Sequence, residues 1–282
     1  MRMASLELRA KAVVEGFLAG LHRSPYHGYS AEFTEYRQYV AGDDPRYLDW
    51  RLLARSDRYY VKRFEDETNL RCYLLVDQSR SMQFGTLGYT KADYARTLAA
   101  TLAYFLNLQR DAVGLMAFSS GVDEFLPARF RSGWFRRLVS LLQKEGPGKE
   151  TRLADVLDRA AAQLRQRGLI VLISDMLADL SPLSQGLSYL RAAGQEVAVF
   201  QVLDPAEVTF QFRSAAMFED LESGTELYID PQLARASYLE KFQAHQSQLA
   251  ECCRPLGVQF TTLTTDQPLE RALFEFLQQR QR

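Results

Sequence analysis

Cys72-Tyr73-Leu74-Leu75-Val76-Asp77-Gln78-Ser79-Arg80-Ser81 decides how this chain is read. The apolar run from Cys72 to Val76 has the composition of a buried strand. Directly after it come one carboxylate and two hydroxyls, separated by single spacers. That spacing lets Asp77, Ser79 and Ser81 turn their oxygens toward one point. A hard divalent cation takes such oxygens, and magnesium is usually held by few protein groups plus water or a ligand atom. Asp and Ser also close turns after strands, so the pattern draws its force from its surroundings.

Working outward, strand-like and helix-like segments alternate from about residue 70. Residues 70–76, 112–118, 169–174, 196–203 and 258–263 read as strands, and 91–110, 133–143, 152–167, 182–193, 231–254 and 268–279 as helices. Gly168 and Gly194 stand at helix ends and Pro231 at a helix start. This alternation predicts an α/β fold: a three-layer, doubly wound, mainly parallel sheet with helices on both faces. The more alternating stretch 122–127 suits an antiparallel edge strand. Residues 204–229 break the rhythm with β-like pieces at 208–212, 216–219 and 226–229 around Ser223-Gly224, and read as a β-rich insertion. The expected division is an N-terminal segment, 1–69, packed on a main domain, 70–282. The segment opens with a helix and continues rich in Tyr and Arg. Asp44-Pro45 signals a short helix to about Arg55, and 59–64 reads as an added strand leading into the main sheet.

The bulk numbers narrow the class. The chain has 282 residues, 47% hydrophobic and 24% charged, enough for a large core. A net charge of −1 gives no global case for nucleic acid or an anionic membrane. The three cysteines, Cys72, Cys252 and Cys253, form neither a disulfide framework nor a zinc pattern, and suit a reducing compartment. No apolar run reaches the length of a membrane span. The first twenty residues read as an amphipathic helix rather than a signal peptide. The expected location is the cytoplasm.

In an open parallel sheet, ligands sit beyond the carboxyl ends of the strands. Three loops at that edge carry oxygens: Asp77, Ser79 and Ser81; then Gly146-Pro147-Gly148-Lys149-Glu150-Thr151, ahead of a helix; then Ser174-Asp175, after the most apolar strand. Thr151 also fits a helix N-cap, and Asp175 a simple turn. The set resembles the von Willebrand factor A-type (vWA) domain with its metal-ion-dependent adhesion site (MIDAS). That resemblance implies a metal site of Asp77, Ser79, Ser81, Thr151 and Asp175 holding Mg2+ (or Mn2+ or Ca2+), with one position open to an acidic residue from a partner. Glu150 stands where many such domains have Gly. Gly42-Asp43-Asp44-Pro45-Arg46-Tyr47-Leu48-Asp49-Trp50, with Ala54-Arg55, Val61-Lys62, Glu65 and Ser174-Asp175-Met176-Leu177, resembles the bacterial family of unknown function numbered fifty-eight. That resemblance implies a MoxR-type AAA+ ATPase as partner.

Enzyme signatures are thin. None of His22, His27 and His245 is expected near the predicted site, so a Ser/His/Asp relay has no obvious base. No G-x-x-x-x-G-K-[ST] loop occurs. Asp43, Asp44 and Asp49 among Arg46, Arg51 and Arg55 read as a cap with local ion pairs. The expected function is a non-enzymatic, metal-dependent interaction module. The alternatives are a magnesium-dependent phosphohydrolase on the same edge, or an RNA-binding vWA protein using the Tyr/Arg segment.

Overall fold

The structure is a computed structural model that describes residues 5–23, 36–38, 60–62, 70–144, 153–177, 179–212, 214–219 and 224–280. Met1–Gly20 with Leu70–Arg282 form one compact unit, and Leu21–Asn69 a second. In the second unit β1 (Tyr36–Gln38) and β2 (Tyr60–Lys62) pair antiparallel, Arg37 opposite Val61. The strand expected at 59–64 thus joins β1 in a sheet of its own rather than the main one. The helix expected from Asp44 to about Arg55, with its acidic cluster, lies outside the described residues.

The helix α1 (Leu6–Arg23) belongs to the first unit as far as Gly20. Leu6, Ala10, Val14 and Phe17 are buried. Their spacing of three and four puts them on one stripe, which is why this polar-rich segment docks as a helix. The sheet is built from β3 (Arg71–Asp77), β4 (Ala112–Phe118), β5 (Val122–Arg129), β6 (Leu169–Ser174), β7 (Glu196–Leu203) and β10 (Gln259–Thr264), in spatial order β10-β7-β6-β3-β4-β5. All neighbours are parallel except β4 and β5. Taken in chain order, these strands follow the doubly wound sequence 3-2-1-4-5-6, which switches direction between β3 and β6.

Composition explains the layering. Every residue of β6, Leu-Ile-Val-Leu-Ile-Ser, is buried, as a strand covered on both faces requires. One face packs Leu75, Met116, Ile170, Leu172 and Val199 against α4 (Leu153–Gln163), α5 (Leu180–Ala192) and α7 (Pro231–Cys253). The other carries α2 (Lys91–Leu108), with α3 (Trp134–Leu142) and α8 (Leu269–Arg280) packed beside it. Each fully buried Leu or Ile contributes about 1.5–3 kcal/mol. The edge strand β5 alternates in exposure and carries Pro127, which an edge tolerates. Its register with β4 shifts between Val113 and Leu115. The intervening Gly114 has no room for a side chain: a Cβ there would stand 2.6 Å from the Tyr73 ring and 2.8 Å from the Ala128 nitrogen.

The insertion differs in part from expectation. β8 (Ala216–Glu219) and β9 (Glu226–Ile229) form an antiparallel pair. The first two residues of the piece read as β-like at 208–212, however, close the helix α6 (Pro205–Thr209), and Phe210 ends it at φ 48°. Asp204 accepts the Ala206 N–H at 2.8 Å, and Glu207 reaches back to the Asp204 N–H at 2.8 Å. This capping box, with Pro205 in the first turn, outweighs the β-preference of Val208 and Thr209. Two boundaries also move: α4 stops at Gln163 rather than near Gly168, and α5 starts at Leu180, two residues ahead of Pro182.

Candidate metal centre

β3 holds its ladder one residue past its end, where the Gln78 N–H donates to the Phe118 carbonyl at 2.7 Å. The chain then turns. Asp77 Oδ1 accepts the Ser79 N–H at 2.9 Å, the side-chain-to-backbone bond by which Asp makes a tight turn. A short 3-10 turn, Ser81–Gln83, follows, with Met82 buried beneath it. The result brings Ser79 Oγ within 3.1 Å of Ser81 Oγ. Alternate spacing along the turn has placed both hydroxyls together.

The adjacent strand β6 delivers the second group. Ser174 Oγ donates to Asp77 Oδ2 at 2.6 Å, joining the two strand ends. It also accepts the Met176 N–H at 3.1 Å. Met176 is buried at φ 58°, a left-handed conformation that costs a side-chain-bearing residue about 1 kcal/mol. This reversal lets Asp175 Oδ1 accept the Leu177 N–H at 3.2 Å. The Asp175 carbonyl accepts from Gln201 Nε2 at 3.0 Å, and Gln201 Oε1 accepts from Thr262 on β10 at 3.1 Å. Asp77 and Asp175 are 1% and 3% exposed.

Behind Asp175 stands Lys91, the first residue of α2. Its Nζ donates to Asp175 Oδ2 at 2.8 Å and to Glu207 Oε1 at 2.6 Å. Burial alone would lower its pKa; Asp175 and Glu207 outweigh that and raise it, so the ammonium is kept. Asp77 behaves oppositely. Burial, reinforced by the charge of Asp175, pushes its carboxyl up to about 7, against the bonds from Ser174 and Ser79.

These charges bear on whether a metal suits the site. The Lys91 ammonium is shared by two carboxylates, Asp175 and Glu207, and the charge of Asp175 also bears on a third, Asp77. Ionised together, the three leave excess negative charge in a buried place, which is costly unless balanced; a proton on Asp77 relieves it, and a divalent cation would do so in the proton's place. Among the described residues no group of three or more His, Cys, Asp or Glu side chains has metal-holding geometry. A cation here would therefore draw on hydroxyls as well as carboxylates, and Ser79 and Ser81 offer them. The donor set is all oxygen, as magnesium, calcium or manganese requires.

Asp77, Ser79, Ser81 and Asp175 thus gather at the carboxyl ends of β3 and β6, the switch point of the sheet. Thr151 lies outside the described residues with its loop. Ser174, from the third predicted loop, joins the site through Asp77, and Lys91 and Glu207 enter it with no sequence signal of their own as site residues. His245, read as remote, puts a ring nitrogen 2.9 Å from the Met176 carbonyl; the long helix α7 brings it there, and it meets backbone rather than a hydroxyl.

Residues 35–248 match the family described as "Protein of unknown function DUF58". The chain belongs to this DUF58 family. It is 30% identical over 287 positions to an uncharacterized protein of Mycobacterium tuberculosis (strain ATCC 25618 / H37Rv), covering 99% of this chain and 89% of that relative. An uncharacterized protein of Mycobacterium bovis aligns to the same extent. Among solved structures, this DUF58 chain is similar to the conserved hypothetical protein BatB from Bacteroides thetaiotaomicron: 15% identity, 76% of this chain and 100% of that one, TM-score 0.48. No helix among its described residues is long and apolar enough to cross a membrane.

Proposed function

We propose that this DUF58 chain is a non-enzymatic interaction module that binds a protein partner through a divalent cation. Asp77, Ser79, Ser81 and Asp175, with Thr151 from the second loop, would hold magnesium, or manganese or calcium in its place. The cation would supply an electrophilic point for one acidic side chain of the partner. The observation that carries this reading is the meeting of Asp77, Ser79 and Ser81 with Asp175 at the switch point between β3 and β6. Both carboxylates there already accept hydrogen bonds, so a cation would keep residual positive charge toward an incoming carboxylate.

The family resemblance supports a MoxR-type AAA+ ATPase as that partner, with this chain as adaptor. A non-enzymatic role is favoured because His245, the one histidine among the described side chains, lies against the Met176 backbone carbonyl rather than against Ser79 or Ser81. Among the described residues Cys72, Cys252 and Cys253 form no disulfide, which suits work in the cytoplasm.

Calorimetric titration of magnesium and manganese into wild type and Asp77→Ala, with and without the ATPase, tests the reading. Saturable binding, lost in the variant and tightened by the ATPase, is expected. Association of the ATPase that ignores both the metal and the variant would overturn it.

A further inference from the structure

Lys91 is an odd residue to find where it is. It occupies the first position of α2, at the positive end of the helix dipole, where a cation is disfavoured. It is also 0% exposed, so no water shares its charge. Both costs are offset by two carboxylates remote in sequence, Asp175 at 2.8 Å and Glu207 at 2.6 Å. One belongs to the candidate metal centre; the other does not. Glu207 is itself pinned, its second oxygen accepting the Asp204 N–H, while Asp204 accepts from Thr86 through both N–H, at 2.9 Å, and hydroxyl, at 2.6 Å. The ammonium is therefore divided between Asp175 and a fixed competitor.

We propose that Lys91 is a specificity-determining residue of the metal centre. It acts as a built-in counter-ion to Asp175, keeping this chain's own hold on a divalent cation weak until a partner carboxylate joins. Glu207 sets how strongly it does so. This inference rests on the metal-dependent reading above. An ammonium and a divalent cation drawn to one carboxylate repel each other, and burial leaves that repulsion poorly screened. Removing the Lys91 charge then tightens cation binding. Removing the Glu207 charge weakens it, because the ammonium passes wholly to Asp175. A merely structural ion pair predicts no such opposition of sign.

The test is calorimetric titration of Mn2+ into the full chain as wild type, Lys91→Met, Glu207→Gln and Asp77→Ala, with thermal melts to verify folding. Expected are binding about tenfold tighter in Lys91→Met and about threefold weaker in Glu207→Gln, with none in Asp77→Ala. Should Lys91→Met fail to fold, the double variant Lys91→Met/Glu207→Gln removes one charge of each sign and is expected to bind more tightly than Glu207→Gln alone. Binding that Asp77→Ala abolishes but that ignores Lys91 and Glu207, or that falls in both, overturns this inference and leaves the metal reading standing. Absence of binding in every protein overturns both.

Discussion

At the amino edge of the six-stranded sheet, Asp111 Oδ1 accepts the Leu70 N–H at 3.1 Å, and Gln195 Nε2 donates to the carbonyls of Leu164 and Gln166 at 2.7 and 2.9 Å. At the carboxyl edge, Asp77 bonds to Ser174, Asp175 to Lys91, and Lys91 to Glu207. Both edges bury polar side chains. The first uses them to satisfy backbone groups that loops would leave unpaired, which is the ordinary condition for burying them. The second joins side chains to side chains and concentrates like charge. A folding requirement accounts for the amino edge. It does not account for two neighbouring buried carboxylates, of which Asp77 has its carboxyl pushed up by burial, and a group so perturbed is a candidate for function.

The largest effect that separates the edges is the response of Asp77 to pH. Its carboxyl is held at about 7 against an ordinary 3.8, through burial and then the charge of Asp175. The native state thus binds this proton more tightly than the unfolded chain does. Stability from the group is fully present below the ordinary value and is lost as pH rises through about 7. Asp77→Asn removes the titration. Without divalent cation, wild type is expected to lose up to about 4 kcal/mol relative to Asp77→Asn between pH 4 and pH 8. Excess magnesium at pH 8 should restore much of it, because the cation takes over from the proton. Urea denaturation at both pH values measures this. A gap between the two proteins that does not vary with pH would mean that the carboxyl edge bears no charge stress, and the contrast with the amino edge would fall.

Gln195 supplies the reverse case. Gln195→Ala strips the donor from two buried loop carbonyls and should cost about 1–3 kcal/mol. Its effect on cation binding should be nil, since the side chain lies at the opposite end of β7 from Asp204. Urea midpoints and a manganese titration on the same protein check both halves. Altered manganese affinity would show that the two edges are not independent.

The sequence makes the sheet legible for a physical reason. Strands covered on both faces become continuous apolar runs, and 112–118, 169–174 and 196–203 match β4, β6 and β7 residue for residue. D-x-S-x-S is equally legible because its spacing is local, and the turn at Ser79 follows from Asp77 itself. Lys91 stays hidden because its partners are 84 and 116 residues away, and nothing beside it in the chain announces them. Val208 and Thr209 mislead through β-propensity, although Asp204-Pro205 followed by Glu207 carries a capping signal that outweighs it. His245 is brought to Met176 by the packing of α7, which no local pattern encodes.

The smallest expected effect lies where both kinds of polar bond meet. Thr90 caps α2: its side chain accepts the Asp93 N–H at 3.1 Å, and Asp93 Oδ2 accepts the Thr90 N–H at 3.0 Å. Taken alone this is amino-edge chemistry, side chain serving backbone, and Thr90→Ala should cost about 1 kcal/mol. The next residue, however, is Lys91, so the cap also fixes the turn that holds the ammonium between Asp175 and Glu207. Thr90→Ala is therefore expected to shift manganese affinity, by up to about threefold, while the more destabilising Gln195→Ala leaves it alone. Thr90→Ser, which keeps the capping oxygen, should restore both stability and affinity. If manganese affinity instead followed stability across these three variants, the metal centre would be reporting global order, and the distinction between the edges would reduce to one of degree.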